Sequence, residues 1–555
     1  MVRLARGIER IVPRLPPAAM AVLLALMVLG AALPAFTSLP PVDRDEALFA
    51  QATKQMVVSG DPIDIHYQTG HRYKKPIGIY WIQAAAVSAL GGAGDRTIWH
   101  YRLPSLAAAL LSVLMAARIA GGFGGRMAGL TGGMLLSGVF LLLAEAHLAT
   151  TDACLLAAIL AAQMVLARLY RSAGGAGFAV EPLPWAPVAQ FWGALAASVL
   201  LKGPVGLMVV GLTALALAGA HRRWRWLLAL RPGPGVAGFL LLVLPWFIAI
   251  TVKSGGAFWA EALGHDLLGK VVAAQESHGA PPGSYLAALW VTFFPASIPL
   301  ALSLPALWAA RRQPGVIFAL AWVIPSWLVF EASPTKLIHY VLPLYPGLAL
   351  AVALVWAGVV QGGARRWQGI VAGALIMPPV AILIAAAAYG VRLGALPVVP
   401  LGLALVVFGL GALLARAAFL ARLEMATLIG LWLTGGAFAG GFLGIAAAIP
   451  ALWPARAIAA YAVPTPACPA RPIVAQGYDE PSLVFLAPVS AQGLTAPDAA
   501  RAMEADRCTV AAIADSAAFK AAAEALGLDP RAAARIDALD LGNGRRLHLT
   551  VYSAR

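Results

Sequence analysis

Two groups of charged residues lie in one hydrophilic loop, residues 40–102, which follows the first apolar run of this chain. Asp43-Arg44-Asp45-Glu46 comes first and His71-Arg72-Tyr73-Lys74-Lys75-Pro76 follows it. Neighbouring carboxylates serve as a general base or hold a cation that bridges to phosphate. Arginine forks onto phosphate oxygens, and lysine supplies a point charge. Because apolar runs adjoin the loop, we expect it to form half of an active site that acts on a phosphorylated lipid.

Both groups also have a plainer interpretation. The carboxylates can cap a helix predicted over residues 47–58, and cations beside a bilayer often only reach towards lipid headgroups. The aromatic, apolar stretch 77–90 predicts a helix that lies on the membrane surface. Such a helix would hold Arg72 and Lys75 at the depth of a lipid phosphate.

Further polar residues interrupt apolar sequence later in the chain. Asp152 follows two threonines, and Lys202 precedes a Gly-Pro pair that makes a tight turn. Lys336 and Tyr340 are four positions apart, which on a helix would direct both into one cavity. The remaining candidates are His265, Asp266 and Lys270 in the 258–271 stretch, and His339 in the 333–340 turn. Each also has an ordinary interpretation as a helix cap, a snorkelling cation or a surface-helix residue.

The composition identifies the class of protein that must position these residues. The chain has 555 residues, of which 61% are hydrophobic and 12% charged, with mean hydropathy +0.80. Soluble domains have about half apolar and about a quarter charged residues, so the chain is predicted to be a polytopic α-helical membrane protein. The net charge of +15 suggests nucleic acid at first sight. Its arginines and lysines, however, sit in short loops between apolar runs, which indicates membrane topology and no nucleic-acid partner.

Apolar runs of roughly twenty residues predict about thirteen membrane spans. They lie near 17–37, 103–120, 127–144, 153–169, 186–201, 204–220, 234–253, 286–309, 315–331, 339–360, 369–390, 396–415 and 426–449. The basic N-terminus is interpreted as the flank of an uncleaved first helix. Alternate connections are basic and nearly free of acid, whereas the others carry mixed charge. This parity predicts a cytoplasmic N-terminus and places the polar tail on the outward side, together with the 40–102 loop.

The chain is thus predicted to have two domains, a transmembrane domain over 1–450 and a small outward α/β domain over 451–555. Strands are expected at 472–475, 482–486, 508–513 and 547–551, and helices at 497–505 and 516–526. Cys468 and Cys508 lie in this tail and can pair in an oxidising compartment or stay free. Cys154, inside an apolar run, is expected to be a buried small residue.

As a set, these motifs resemble the bacterial lipid-linked-sugar glycosyltransferases of the GT-C fold. The chain is similar to the aminoarabinose transferases that modify lipid A and, more distantly, to the protein O-mannosyltransferases. The resemblance covers most of residues 40–345. It is carried by Asp45-Glu46, Arg72-Tyr73-Lys74-Lys75-Pro76-Ile77-Gly78-Ile79-Tyr80-Trp81, Thr151-Asp152-Ala153, Leu201-Lys202-Gly203-Pro204 and Thr335-Lys336-Leu337-Ile338-His339-Tyr340-Val341-Leu342-Pro343.

The resemblance implies an inverting sugar transfer from a polyprenyl phosphate to a lipid A, glycan or protein acceptor. It places the protein in the bacterial inner membrane, with the reaction and the C-terminal domain on the periplasmic side. Asp45 would sit at the catalytic centre, with Glu46 and Asp152. The donor phosphate and its cavity would be formed by Arg72, Tyr73, Lys75, Lys202, His265, Lys270 and Tyr340, and other cavity residues would be Asp43, Lys336 and His339.

Two departures from the aminoarabinose transferases limit the resemblance. Lys74 stands where those enzymes have an acidic residue, and Leu48-Phe49 replace an Arg-Tyr pair. The first change removes a carboxylate that helps to hold a metal, and the second removes a phosphate contact. No cofactor is required by the sequence, a divalent cation is left open, and the metal ligands and donor sugar are unknown.

The alternative function is a polytopic transporter or flippase of a lipid-linked substrate. It shares the number of spans and the basic inside loops. Transporters place their polar residues midway along broken helices, often in repeated halves. Here the polar residues lie at helix ends on one side, and no repeat is visible, so the enzyme is favoured.

Overall fold

A computed structural model of the chain describes residues 2–175, 181–262 and 279–553. The described part of its first 450 residues is mostly helical, as the composition predicts. In chain order the helices are α1 (Val2–Ile11), α2 (Pro17–Ala32), α3 (Asp45–Ser59), α4 (Gly78–Leu90), α5 (Ile98–Ser137), α6 (Phe140–Ala146), α7 (Asp152–Gly175), α8 (Trp185–Lys202), α9 (Val205–His221), α10 (Pro232–Ser254), α11 (Ala257–Trp259), α12 (Ser284–Thr292), α13 (Ser297–Ala310), α14 (Pro314–Ala332), α15 (Tyr345–Gln361), α16 (Arg366–Arg392), α17 (Val398–Leu420) and α18 (Glu424–Ala447). A short hairpin, β1 (His66–Tyr67) and β2 (Gly70–His71), joins α3 to α4.

Helices occupy all thirteen predicted apolar runs, with two changes of detail. The 40-residue α5 merges one predicted span with most of the next across a kink at Gly125, whose φ of 78° breaks the helical path. The predicted span 286–309 is a pair, α12 and α13, bent by 117°. Eight described helices are long and apolar enough to cross a membrane, or nine if the bent pair is one span. The chain is therefore a multi-pass membrane protein, and the number of thirteen crossings stays a prediction.

Two pairs of the basic connections predicted to share one side contact each other. Arg171 lies over the ring of Phe123, 5.8 Å from its centre. Gln361 donates to the carbonyl of Arg422, at 3.2 Å. Contacts of this kind are expected between loops that share one aqueous phase, because each loop is too short to leave the end of its helices.

The tail forms a five-stranded sheet with helices packed on it. Its helices are α19 (Pro454–Ala459), α20 (Pro481–Leu486), α21 (Ala496–Ala505) and α22 (Ser516–Ala525), and its strands are β3 (Ile473–Gln476), β4 (Val489–Ala491), β5 (Val510–Ile513), β6 (Arg531–Leu539) and β7 (Arg546–Ser553). The strand order is β4-β3-β5-β7-β6. β3 is parallel to β4 and β5, and β7 is antiparallel to β5 and β6. Cys468 and Cys508 form a disulfide beside this sheet, and Cys154 is a buried free thiol.

One predicted strand of the tail is wrong, and two strands were missed. Residues 482–486 belong to helix α20, which begins with Pro481. Proline is favoured in a first helical turn and cannot donate to a sheet ladder. The missed strand β6 is mostly exposed and rich in alanine and arginine, so it lacks an apolar alternation.

Helix α20 also attaches the tail to the helical domain. The backbone N–H of Ser482 and the hydroxyl of Tyr478 donate to the carboxylate of Asp43, at 3.1 and 3.3 Å. Lys54, on α3, donates to the carbonyl of Phe485 at 2.8 Å. The tail and the 40–102 loop therefore lie at the same end of the bundle, and the side of the membrane that they face stays a prediction.

Candidate active site

A cavity of about 250 Å³ opens at the end of the bundle that carries the tail. It is bounded by the start of α3, the segment after β2, the start of α7, the end of α8 and the segment before α15. Its lining residues are Val42, Asp43, Arg44, Asp45, Glu46, Phe49, Arg72, Lys74, Lys75, Glu145, Leu148, Thr150, Thr151, Asp152, Lys202, Thr335, Leu337, His339 and Tyr340. Residues far apart in the chain, which the motifs singled out separately, thus share one space.

A buried ion pair organises the acidic wall of the cavity. Arg102, on α5, donates from Nε to Oε1 of Glu46 at 2.7 Å and from Nη2 to Oε2 at 2.8 Å. The same guanidinium donates to the carbonyls of Phe36, Leu39 and Pro40. The N–H groups of Val42 and Ala149 complete the shell of Glu46 at 2.8 and 2.9 Å. The pair therefore joins α5 and the start of α3 to two connections, the one between α2 and α3 and the one between α6 and α7.

The two aspartates that flank Arg44 have different surroundings. Helix α3 begins at Asp45, so Asp45 and Glu46 lie in its first turn, where the helix dipole favours carboxylates. The Asp45 side chain is exposed to the cavity, and its carboxylate accepts no hydrogen bond from the described part of the chain. Asp43 instead accepts from the tail, and burial raises its pKa above the ordinary value although the Ser482 bonds oppose the shift. Asp45 is thus the free carboxylate of this wall.

The basic wall comes from the segment between β2 and α4. Arg72 is buried, donates from Nε to the hydroxyl of Tyr80 at 3.2 Å and lies 5.1 Å from the centre of the Phe49 ring. Lys74 and Lys75 line the cavity beside it. Gly78 fixes where this segment ends, because a Cβ there would lie 2.7 Å from the carbonyl oxygen of Leu200. This close approach brings the basic segment next to the end of α8.

The end of α8 presents Lys202 to the start of α7. Lys202 donates to Oδ1 of Asp152 at 2.6 Å, and its ammonium lies 5.3 Å from the centre of the Tyr340 ring. Gly203 has φ of 65°, a left-handed conformation that ends the helix directly after the lysine. The predicted tight turn therefore holds Lys202 in the cavity, and Asp152 sets its position.

His339 lies between two carboxylates on the same side. Its Nδ1 is 3.8 Å from Oε1 of Glu145, and its Nε2 is 3.9 Å from Oδ2 of Asp152. Thr150 donates to Oε2 of Glu145 at 2.9 Å. Five acidic and five Arg or Lys side chains line the described cavity, so its wall is close to neutral although it contains many charges.

Two predicted cavity residues lie elsewhere. The side chain of Tyr73 points away from the cavity and stacks on His71, because successive side chains of an extended segment face opposite sides. Burial, with Asp64 adding to it, raises the pKa of Tyr73 to about 12. Lys336 turns back to donate to the carbonyl of Ser333 at 2.6 Å. The helical turn begins only at Ile338, so the spacing expected to align Lys336 with Tyr340 does not apply.

Other predicted residues lie outside the described part of the chain, namely His265, Asp266 and Lys270. Sequence reasoning also missed Glu145 and Thr150, which face the cavity. Glu145 is a lone acid at the end of a long apolar run. A charge is costly beside the membrane, so this position in the sequence could have identified Glu145 as a candidate.

The arrangement suits chemistry at a phosphate ester. Arg72, Lys74, Lys75 and Lys202 supply positive charge, and such charge, held in place beforehand, stabilises a leaving phosphate as its negative charge grows. Asp45 supplies a carboxylate across the same space. The cavity therefore combines an anion-binding wall with a candidate proton acceptor.

Comparisons with known proteins show what the whole chain is similar to. No protein-family model matches the chain. An undecaprenyl phosphate-alpha-4-amino-4-deoxy-L-arabinose arabinosyl transferase from Pseudomonas aeruginosa (strain LESB58) is 26% identical over 307 residues, which are 55% of this chain and 54% of that protein. The protein of the same name from Edwardsiella ictaluri (strain 93-146) is 25% identical over 338 residues, 59% of this chain and 58% of that protein. The chain matches little more than half the length of these curated relatives.

Solved structures are similar over nearly the whole chain. ArnT from Cupriavidus metallidurans bound to undecaprenyl phosphate has a TM-score of 0.73 at 19% identity, covering 97% of this chain and 98% of that chain. An oligosaccharyltransferase from Archaeoglobus fulgidus in the apo form has a TM-score of 0.50 at 11% identity, covering 92% of this chain and 68% of that chain. The resemblance inferred from the motifs is confirmed, and the chain has the polytopic GT-C fold of the aminoarabinose transferases.

Proposed function

We propose that this chain is a glycosyltransferase that moves a sugar from a polyprenyl-phosphate donor to a lipid A, glycan or protein acceptor, with inversion at the anomeric carbon. The observation that carries the proposal is the cavity in which the exposed carboxylate of Asp45 shares one space with Arg72, Lys75 and Lys202. The likeness to undecaprenyl-phosphate-dependent transferases supports it.

The donor phosphate binds the basic wall. Arg72 and Lys75 approach it from the segment before α4, and Lys202 approaches from the end of α8. When the bond between the anomeric carbon and the phosphate oxygen breaks, the electron pair stays on the phosphate. Charges held in place stabilise that product without having to reorganise. Lys74 adds a further cation where the similar transferases have a carboxylate.

Asp45 receives the proton when the acceptor is a hydroxyl group. The acceptor oxygen attacks the anomeric carbon from the face opposite the phosphate, and its proton passes to the carboxylate. Glu46 has a different role, because both of its oxygens are already bound by Arg102. Glu46 therefore positions the acidic wall and Asp45 performs the proton transfer.

Asp152, His339 and Tyr340 act through Lys202. The ion pair with Asp152 and the ring of Tyr340 fix the lysine ammonium at the cavity wall. His339 lies beside Asp152 and lines the same space. Asp152 is therefore assigned as a positioning residue for the phosphate site.

The proposed location is the bacterial inner membrane, with the cavity and the tail on the periplasmic side and the N-terminus in the cytoplasm. The basic loops at the opposite end of the bundle support this orientation. An outward cavity would receive a donor whose lipid chain stays in the bilayer while its phosphate reaches the side-chain cations.

The test is a transfer assay with the full chain in lipid vesicles that contain a polyprenyl phosphate bearing a labelled sugar. Envelope lipid and glycan fractions serve as acceptors. The expected result is label in an acceptor together with free polyprenyl phosphate. Label that crosses the bilayer while still attached to the lipid phosphate would overturn the proposal and favour the flippase. Mass spectrometry of lipid A and envelope glycans from a strain without the protein identifies the acceptor.

A further inference from the structure

A second cluster of ionisable side chains lies on the other side of the basic segment, outside the lining of the cavity. It consists of Asp64, His66 and His71, each of which offers one ligand atom, and these atoms all lie within 4.8 Å of one another. Nδ1 of His71 is 3.2 Å from Oδ2 of Asp64, and Nε2 of His66 is 3.7 Å from the same oxygen. The proposed transfer reaction uses none of these three side chains.

The hairpin explains why the three side chains converge. His66 and His71 are direct partners across β1 and β2, so their side chains stand on the same face, with ring centres 4.6 Å apart. Asp64 precedes His66 by two positions in the chain, and alternate residues of an extended segment share a face. The hairpin register therefore fixes the spacing of all three groups.

We propose that Asp64, His66 and His71 bind a divalent transition-metal ion, with Zn²⁺ as the preferred ion. Zinc–nitrogen and zinc–oxygen bonds of about 2.0–2.2 Å place neighbouring ligand atoms of a tetrahedral site about 3.3–3.5 Å apart. The two measured separations from Asp64 lie close to that value. Two histidines and one carboxylate leave a fourth position for water.

The cluster is buried at its carboxylate and open to solvent at its two histidines. Asp64 is 4% exposed, whereas His66 and His71 are 35% and 53% exposed, so an ion can enter from solvent and meet a carboxylate held inside. Tyr73 stacks on the ring of His71, with ring centres 5.1 Å apart and planes inclined by 19°. Stacking of this kind restricts the orientation of the imidazole, as the outer shell of a metal site does.

The ion would stiffen the hairpin that leads into the basic wall. The N–H of Arg72 donates to the carbonyl of Ile65 at 2.7 Å, and Ile65 lies between Asp64 and His66. Trp246, on α10, donates to the carbonyl of Ile63 at 3.1 Å. The site thus fastens the backbone that supports Arg72 without taking part in the sugar transfer, and the inference stands without the proposed function.

The experiment uses the full chain, purified through an affinity tag that contains no histidine and then stripped with a chelator. Zinc is titrated in, and bound zinc is measured by mass spectrometry after removal of the free ion. We expect about one zinc per chain, as for a preformed site, and loss of that zinc in D64N, H66Q and H71Q. The matched control is H548Q, which removes an exposed histidine that also pairs with an aspartate, Asp537. H548Q should bind zinc like the wild type.

A second readout separates metal binding from misfolding. Zinc should raise the melting temperature of the wild type and of H548Q, and it should leave that of H66Q and H71Q unchanged. Chelated wild type and the two variants should melt at similar temperatures, because both histidines are partly exposed. A wild type that binds no more zinc than the H66Q/H71Q double variant overturns the proposal, as does zinc binding that persists in all three single variants.

Discussion

Arg102 and Glu46 form a two-pronged ion pair in which neither side chain reaches solvent, with 0% and 2% of each residue exposed. The partners are more than fifty positions apart in the chain, and Glu46 lies in the wall of the cavity. Because Glu46 is fully engaged, the next carboxylate in the same helical turn, Asp45, is left to face the cavity. Of two adjacent acids, one is thus held in a buried ion pair and the other lines the cavity.

Breaking that pair should destabilise the protein. Removing one partner of a buried pair leaves an uncompensated charge and typically costs about 3–5 kcal/mol. We therefore expect R102M to lower the melting temperature in detergent strongly and to reduce the yield of folded protein. The control is K253M, which removes an ion pair with Asp61 whose side chains are 41% and 23% exposed. Exposed pairs contribute about 0–1 kcal/mol, so K253M should melt close to the wild type.

Asp45 should show the opposite pattern. D45N keeps the size of the side chain and removes the proton acceptor, so we expect an unchanged melting temperature and a turnover lowered on the order of 10²–10⁴-fold with a hydroxyl acceptor. The fall should appear in kcat, because the donor phosphate binds the opposite wall. Steady-state transfer rates measure the split between kcat and KM. Turnover close to the wild type would remove Asp45 from the proton-transfer step.

Lys202 should control affinity for the donor phosphate. A charge-assisted hydrogen bond contributes about 1.5–3 kcal/mol, so K202M should weaken binding of a polyprenyl phosphate by about 10- to 150-fold. Binding is measured by displacement of a labelled lipid phosphate from the purified protein. The matched control is K336M, which removes the same charge from a lysine outside the cavity. Lys336 lies in the segment before α15 and donates to the carbonyl of Ser333. Equal losses in both variants would indicate a general effect of positive charge and contradict the assignment.

The sequence predicted that the candidate site residues share one end of the bundle. The parity of basic loops places Asp45, Lys75, Asp152 and Lys202 at helix ends on one side, and the cavity contains all four. This works because lipid makes charged groups expensive within a span, so their position in the chain reveals their depth. The tail contacts Asp43 at that same end.

Side-chain direction was harder to predict than position. Tyr73 and Lys336 are neighbours of cavity residues in the chain, yet the local backbone turns both away. An extended segment alternates its faces, and a one-turn error in the start of a helix changes which residues align. The ion pair of Glu46 with Arg102 could not be predicted either, because partners 56 positions apart leave no local pattern in the sequence.

The disulfide between Cys468 and Cys508 should stabilise the tail. The two cysteines are 40 positions apart, and the loop-closure model gives about 4 kcal/mol for a loop of that length. We expect reduction, or the C468S/C508S double substitution, to lower the melting temperature of the tail. Thermal unfolding with and without reductant measures the change. As a control, the double variant should be insensitive to reductant; a further shift on reduction would mean that the stabilisation arises elsewhere.

Lys54 should make the junction between α3 and the tail sensitive to pH. It is buried at the carbonyl of Phe485, and burial, with Arg96 adding to it, lowers its pKa from 10.5 to about 7. Between those two values the unfolded chain holds a proton that the folded chain has released. The free energy of unfolding therefore rises as pH increases from about 7 towards 10.5.

K54M should flatten this rise, whereas K520M, which changes an exposed lysine of the tail, should retain it. The measurement is the melting temperature of the three proteins between pH 7 and pH 9. If the melting temperatures of K54M and the wild type rise equally with pH, another group is responsible for the titration.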